Sequence, residues 1–545
     1  MVVGDVNRIN LSTSSFERII REGTLYVDKT RMIEHFLNTS SEVNLIARQR
    51  RMGKSLNMNM VKCFLTDKDD LRHLFKGLYI ESSPVWDMAH TSPVFFYDFR
   101  RLQPNMYKEK LFFATCEYLK GYVKKGAELS VAAEHYIKNG NADDADGLLH
   151  ITETAFNVTG KRSYILIDEY DKLLVDSRNN INYEEIRNFV KAFLSMGLKG
   201  NLYLEKALLI GVMRVSKESM FSDLNNIEIF DVFEDDTFTF DYGFTEEEVR
   251  ELQQLQKFDI DEVRDWYNGF MVDGNPIYNT YSMMSFIKRK KFKCYWGMSG
   301  SMEMAADLLN DSRELMLTGL LNGEQAEVSV ADRISLQHLT ADAGDEAFYS
   351  VLVQCGYLSL DGRVPHQSNA AYVSIPNKEL KEVWQRFILE NIYSASPRVS
   401  TIFSNATDYE RFAEDIEYFL SERLSYHDLA VYRGDDKKKT HERVYHVFLL
   451  GILSAYNDTN FKRALSNRES GDGRYDVLIE RTTANYIFEV KSCDADEDLD
   501  ARADEALAQI EVKRYGSDLQ SNGKKLVKIG VAVDGKRCRV RVADH

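Results

Sequence analysis

Residues 41–65, SEVNLIARQRRMGKSLNMNMVKCFL, read as a strand, a tight basic loop and a helix in immediate succession. The strand comes from Val43, Leu45 and Ile46; the helix shows Leu56, Met60, Cys63 and Phe64 three or four apart on one face. Between them stands Gly53-Lys54-Ser55, the end of a phosphate-binding loop. In such a loop backbone N–H groups point at a nucleotide's phosphates, the lysine reaches their outer oxygens and the hydroxyl ligates Mg²⁺. The full pattern places glycine five positions earlier, where a tight turn calls for φ > 0, and this chain has Arg48. Arg48, Arg50 and Arg51 are expected to add positive charge beside the phosphates, since arginine grips phosphate with two prongs.

Working outward, PVFFYDFR at 93–100 suits a strand buried on both faces of a parallel sheet. KRSYILIDEYDKLL at 161–174 is an apolar run that opens into carboxylates, as at the ligand end of a parallel strand. Asp168 would hold Mg²⁺ with Ser55, Glu169 would polarise the attacking water and Asp171 would serve structurally. KALLIGVMR at 206–214 is a further strand, which puts Arg214 and Ser216 where a group could sense the outermost phosphate. Upstream, residues 14–40 read as helix, turn at Gly23, short strand and helix; Thr245 and Glu248 form a capping box. Residues 246–425 carry helices and short aromatic segments without a catalytic constellation and are expected to be a helical lid and connecting region.

A second chemical centre lies near the C-terminus. YDVLIE and NYIFEVKS read as two strands joined by a short polar turn, with Glu489 and Lys491 on one face and Asp476 on the neighbouring strand. Two carboxylates and a lysine on one patch suit a Mg²⁺-dependent phosphodiesterase: the carboxylates, with the Val490 carbonyl, hold a hard cation that activates water, and Lys491 orients that water or stabilises developing charge. The upstream helix offers Glu442, and the downstream one Gln509 and Tyr515.

The chain's 545 residues leave room for three or four domains, and 44% hydrophobic with 28% charged residues mark it as globular. Six scattered cysteines, an N-terminus without a signal-peptide pattern and the lack of a membrane-spanning run lead to an expected cytoplasmic location and no membrane partner. A net charge of −16 argues against coating nucleic acid with the whole surface. Residues 511–545, with nine Lys or Arg against four acids, permit a localised nucleic-acid groove.

The ordered set LYVDKT, RQRRMGKS, YILIDEYDKLL, MRVSKESMFSDLNN, GFTEEEV, WYNGF with IYNTYS, GYL, IPNKE and DVLIE…IFEVKS resembles bacterial two-domain proteins with an AAA-ATPase-like domain and a C-terminal PD-(D/E)xK nuclease-like domain. The family's loop reads like RPRRFGKS; this chain has Gln49 and Met52 there, flanking the phosphate contacts. The resemblance implies an α/β chain with a P-loop NTPase domain at 1–245 (parallel sheet with flanking helices), a helical region at 246–425 and a restriction-endonuclease-like α/β domain at 426–545. It implies ATP and Mg²⁺ as cofactors. The residues expected to touch ATP are Arg51, Gly53, Lys54, Ser55, Asp168 and Arg214; catalysis falls to Glu169, Asp476, Glu489 and Lys491, with metal at Ser55 and Asp168 and at Asp476 and Glu489, joined by Glu442. The leading expectation is an ATP-controlled nuclease acting on DNA or RNA. Its alternatives are an NTP-driven switch whose nuclease-like domain binds nucleic acid or protein without cutting, and an ATPase motor that takes an arginine finger from a neighbouring subunit of an oligomer.

Overall fold

The computed structural model describes residues 1–545 except 68–69, 125, 127, 216–223, 236, 298–307, 309–310, 322–324, 333–343, 366–368, 389–407, 424–460, 471–472, 494–496, 518, 520–523, 535–536 and 545. By packing the chain divides into two compact units, Met1–Ser301 with Glu327–Leu380, and Met302–Ala326 with Lys381–His545. Residues 246–301 therefore pack with the loop-bearing sheet, on the same side of the division as residues 1–245.

The first unit is built on five strands: β1 (Val43–Ala47), β2 (Val94–Asp98), β3 (Ser163–Asp168), β4 (Leu204–Gly211) and β5 (Ile227–Phe230). Their spatial order is β2-β3-β4-β1-β5 and every pairing is parallel. Continuous apolar runs are what a sheet covered on both faces requires, and all residues of β1 and β3 are buried. Because the strands run the same way, their C-terminal ends form one edge: Asp98 sits beside Asp168, Asp168 beside Ile210, and Ala47 beside Gly211. Helix α1 (Lys54–Leu65) leaves β1 through the basic loop and buries Met60, Cys63 and Phe64. The N-terminal segment follows its expected pattern, with helix Phe16–Arg21, left-handed Gly23, strand Tyr26–Val27 and helix Arg31–Asn38. The capping box at Thr245 and Glu248 is formed.

The middle of the chain is largely helical, as expected, and also carries two small sheets. One is the hairpin Phe270–Val272 with Asn275–Ile277; the other orders Ala326–Ser329, Ala370–Ser374 and Ser359–Arg363. Helix α2 (Lys378–Ile388) starts inside the first unit and runs on past its end at Leu380.

The second unit holds a mixed sheet in sequence order: β6 (Phe461–Ser470), β7 (Gly473–Arg481), β8 (Ala484–Ser492), β9 (Lys525–Asp534) and β10 (Arg537–Asp544). β7 and β8 form the expected antiparallel pair, while β8 and β9 are parallel and joined through helix α3 (Leu499–Val512). Glu489 of β8 is in register with Gly530 of β9. A Cβ at Gly530 would stand 2.4 Å from the Ala503 carbonyl oxygen and 2.5 Å from the Leu507 nitrogen, so α3 crosses the sheet directly over this glycine. Gly530→Ala should force α3 off the sheet and destabilise the second unit by about 1–3 kcal/mol, the usual cost of overpacking. Chemical denaturation of the wild type and the variant measures the difference.

Candidate functional site

The basic loop keeps its glycine geometry at one end only. Gly53 is left-handed (φ 85°) at the N-cap of α1, and Arg51 also has positive φ (66°). Arg48 is not among the residues with positive φ, so the loop turns at Arg51 and Gly53 and a side chain is tolerated at the missing glycine. Arg48 itself corrects the expectation of a phosphate contact. It is fully buried, ion-paired with buried Asp235, and donates from Nη1 to the carbonyls of Ala47 (2.9 Å) and Phe230 (3.3 Å). Burial pulls its guanidinium down to about 10, with Tyr242, Asp231 and Asp241 acting in the opposite sense. Its charge therefore serves to tie the ends of β1 and β5 together.

What fixes the loop is the fate of its carbonyls. Lys54 is buried and its Nζ donates to the carbonyls of Arg48 (3.1 Å) and Gln49 (2.9 Å). Burial lowers its pKa, while the carboxylates of Glu169, Asp171 and Asp168 oppose that shift. The Arg50 carbonyl accepts from Asn279 Nδ2 (3.1 Å) and Trp296 Nε1 (3.3 Å), and the Arg51 carbonyl from Thr280 Oγ1 (2.6 Å) and the Tyr281 N–H (3.4 Å). The Met52 carbonyl accepts from the Gly243 N–H at 3.1 Å. All five carbonyls from 48 to 52 thus have donors, and the loop leads into a helix N-terminus, where amide N–H groups and the helix dipole favour an anion. Apart from Lys54, the donors are Asn279, Thr280 and Tyr281 of IYNTYS, Trp296 of the YW pair and Gly243, where sequence reading found no chemistry. They are held in turn by buried Glu379, whose Oε1 accepts from Ser282 Oγ (3.0 Å) and from the N–H groups of Tyr295 and Trp296 (both 2.6 Å).

A cleft of about 600 Å³ opens beside this loop. Its polar wall includes Lys54, Ser55, Arg100 and Glu169; its apolar wall includes Ile19, Leu25, Phe244 and Met284. Arg51 also lines it and lies over the Tyr281 ring, 4.4 Å from its centroid. Asp168 is 1% exposed, and its carboxylate faces the Ser55 hydroxyl and, at 3.5 Å, Arg100 Nη2. Burial pushes its carboxyl up to about 6, against the pull of the Ser55 hydroxyl and Arg100. A buried carboxylate beside a serine at a helix N-terminus suits a divalent cation, because a cation replaces the hydration that burial removed. Glu169 follows at φ 56°, a backbone state that costs a non-glycine residue of order 1 kcal/mol and concentrates at functional sites. Asp171 is buried and accepts from the N–H groups of Val212 (3.0 Å) and Met213 (2.8 Å), fixing the turn after β4.

Arg214 falls outside this cleft. β4 ends at Gly211, and the Arg214 guanidinium is ion-paired with buried Asp231 at 2.7 Å. A buried aspartate requires a counter-charge, and that requirement accounts for Arg214 without a phosphate. Ser216 lies outside the described residues. Arg100, which the sequence reading passed over, does line the cleft; the available signal was a basic residue two places beyond a buried strand that ends in an acid.

In the second unit Asp476 of β7 accepts from the Val490 N–H at 2.7 Å, which sets it against the β8 segment carrying Glu489 and Lys491. Helix α3 supplies a partner to each: Gln509 Nε2 donates to Glu489, and Glu505 stands 3.4 Å from Lys491 Nζ. Spacing of i, i+4 on the helix thus meets i, i+2 on the strand. Glu489 is buried and Lys491 half-buried. Among the described residues no three His, Cys, Asp or Glu side chains gather as a metal site, and Glu442 lies outside them. The basic stretch at 511–545 needs a correction as well. Lys525 pairs with Asp544 (2.6 Å), Lys528 with Glu511 (2.9 Å), Arg539 with Glu417 and Asp500 (both 3.1 Å), and Arg541 with Asp500 and Asp504. Much of that charge is neutralised within the unit, so the sequence count alone does not make a nucleic-acid groove.

Thr280→Ala should leave the Arg51 carbonyl short of a donor and let the loop relax, with a five- to twentyfold loss of nucleotide affinity, about 1–2 kcal/mol. Thr280→Ser should restore it, and calorimetric titration with ADP checks both variants.

Residues 10–221 match the family model described as a predicted AAA-ATPase, and residues 440–542 match that of the PD-(D/E)XK nuclease superfamily. Among curated proteins, an "Uncharacterized protein in vnfD 5'region" from Azotobacter chroococcum mcd 1 is 25% identical over 527 residues, covering 94% of each chain. Among solved structures, the Aeropyrum pernix ORC2 protein aligns at 10% identity over 66% of this chain and 93% of that one, with a TM-score of 0.24. Among the described residues no helix is long and apolar enough to cross a membrane. The chain carries an N-terminal AAA-ATPase-like domain and a C-terminal domain of the PD-(D/E)XK nuclease superfamily.

Proposed function

We propose that the protein binds and hydrolyses ATP in its N-terminal unit and couples that cycle to Mg²⁺-dependent cleavage of DNA or RNA phosphodiester bonds in its C-terminal unit. The observation that carries the reading is a cleft lined by Lys54 and Ser55 of a loop whose carbonyls all have donors, with the buried carboxylate of Asp168 behind it, facing the Ser55 hydroxyl and Arg100. These residues fit a nucleotide with its divalent cation. Mg²⁺, when bound, supplies charge neutralisation for the phosphate oxygens. Ser55 and Asp168 hold it, Gly53 lets the backbone approach the phosphates, Lys54 turns from the loop carbonyls toward them, and Arg51 closes the mouth of the cleft. Glu169, at the end of β3, accepts the proton of the attacking water.

In the second unit, Asp476 and Glu489 hold the cation and Lys491 stabilises charge developing on the scissile phosphate. Gln509 orients Glu489, as an outer partner commonly does for a ligating carboxylate. The Lys491–Glu505 pair favours a second reading, in which the nuclease-like unit binds nucleic acid or protein without cutting, since a lysine held by a carboxylate has less charge to offer a phosphate.

Lys54→Ala should lower ATP affinity ten- to a hundredfold through loss of a charge-assisted contact worth roughly 1.5–3 kcal/mol. Glu169→Gln should bind ATP and fail to turn it over; phosphate release at the wild-type rate would remove Glu169 from the mechanism. For the nuclease, labelled DNA and RNA are incubated with wild type and Glu489→Ala, with Mg²⁺ or EDTA, with and without ATP. Cleavage by the wild type in Mg²⁺ alone, abolished by the variant and by chelation, is the expected result. Nucleic-acid binding without cleavage under every nucleotide condition would select the second reading.

A further inference from the structure

We propose that Arg100 reads the terminal phosphate of a nucleoside triphosphate bound at the loop, so that the arginine such a site needs is supplied within the same chain. The inference rests on the ATP-site reading above and assigns a residue to it.

Four other arginines stand near the loop, and the structure gives each a different engagement. Arg48 is buried against Asp235, Arg214 is paired with Asp231, and Arg51 lies over Tyr281. Arg50 lines the cleft from the loop itself. Arg100 is the arginine on the acidic side. It sits in the 3₁₀ turn Phe99–Arg101 that follows β2, and β2 is the direct parallel neighbour of β3, with Asp98 in register with Asp168. The turn is held by Asp98, which accepts from the Arg100 backbone N–H at 3.1 Å. The same carboxylate grips the guanidinium with two prongs, at Nε and Nη2, both 2.9 Å. This double hold fixes the plane of the group and removes most of the rotamer freedom that a free arginine would lose on meeting a ligand.

So held, Arg100 places Nη2 3.5 Å from Asp168 Oδ2 and leaves Nη1 without a partner among the described residues. Its side chain is 43% exposed and lines the cleft with Lys54, Ser55 and Glu169. An arginine that only balanced Asp98 would have no need to lean on a second, buried carboxylate. Here the guanidinium partly satisfies Asp168, where the cation of a nucleotide is expected. A divalent cation on Asp168 weakens that long contact, while the Asp98 grip keeps the guanidinium in the cleft wall with Nη1 still to be partnered. The ligand that then completes it carries negative charge beside the cation, which a triphosphate supplies through its outermost phosphate and a diphosphate does not.

The test is calorimetric titration of the full chain with Mg²⁺ and either ADP or a non-hydrolysable β,γ-imido ATP analogue, using wild type, Arg100→Ala, Arg100→Lys and Lys54→Ala. Wild type is expected to bind the analogue more tightly than ADP. Arg100→Ala should weaken the analogue at least tenfold and ADP less than twofold, with Arg100→Lys in between because it keeps charge and loses the fork. If Arg100→Ala fails to fold by circular dichroism, the Arg100→Lys ratio of the two affinities is read in its place. Equal loss for both nucleotides, or loss for neither, overturns the assignment of Arg100 while Lys54 still separates binding from non-binding protein. Wild type that binds neither nucleotide overturns the ATP-site reading and this inference with it.

Discussion

A loop that turns its amides toward an anion must turn its carbonyls away, and carbonyls removed from water need donors. That constraint organises the first unit. Lys54 satisfies two loop carbonyls, and a ring of residues from 243 to 296 satisfies the next three. Each donor has to be placed to within a few tenths of an ångström, which explains why a single oxygen of buried Glu379 holds three groups at once and why Asn377 donates to the Asn268 carbonyl at 2.6 Å. The segments WYNGF, IYNTYS and IPNKE are thus one support for the loop, assembled from three places in the chain.

The second unit solves a related problem by different means. Its charged residues lie on a strand in the middle of a sheet, and a helix must come close enough to address them. Gly530, in register with Glu489, removes the one side chain that would hold α3 away, and Glu505 and Gln509 then meet Lys491 and Glu489 from above. Backbone proximity at a glycine sets the electrostatics of the centre.

Legibility in the sequence followed the range of the cause. Strands β1, β3 and β4 and the acids at the end of β3 were readable because an apolar run and the residue that ends it are adjacent. Helix α1 and the capping box were local patterns as well. The ion pairs of Arg48 and Arg214 were not legible because their partners, Asp235 and Asp231, lie far along the chain in one case and beyond an undescribed segment in the other, so nothing beside either arginine announces a buried counter-ion. Arg100 was overlooked for the converse reason: a pair of arginines after a strand is ordinary until the parallel register brings Asp168 beside it. The basic C-terminal stretch was counted correctly in sequence, yet its charge is balanced by Glu417, Asp500 and Asp504, which precede the counted window.

The buried pair of Arg48 and Asp235 also bears on how this chain can change. Placing glycine at 48 would complete the glycine pattern of the phosphate-binding loop and at the same time strand Asp235 in the core, where an uncompensated charge costs about 3–5 kcal/mol. Changing Asp235 first leaves the guanidinium stranded instead. Either single step costs stability, so the two positions are entrenched together, and a tolerated change at one requires a change at the other.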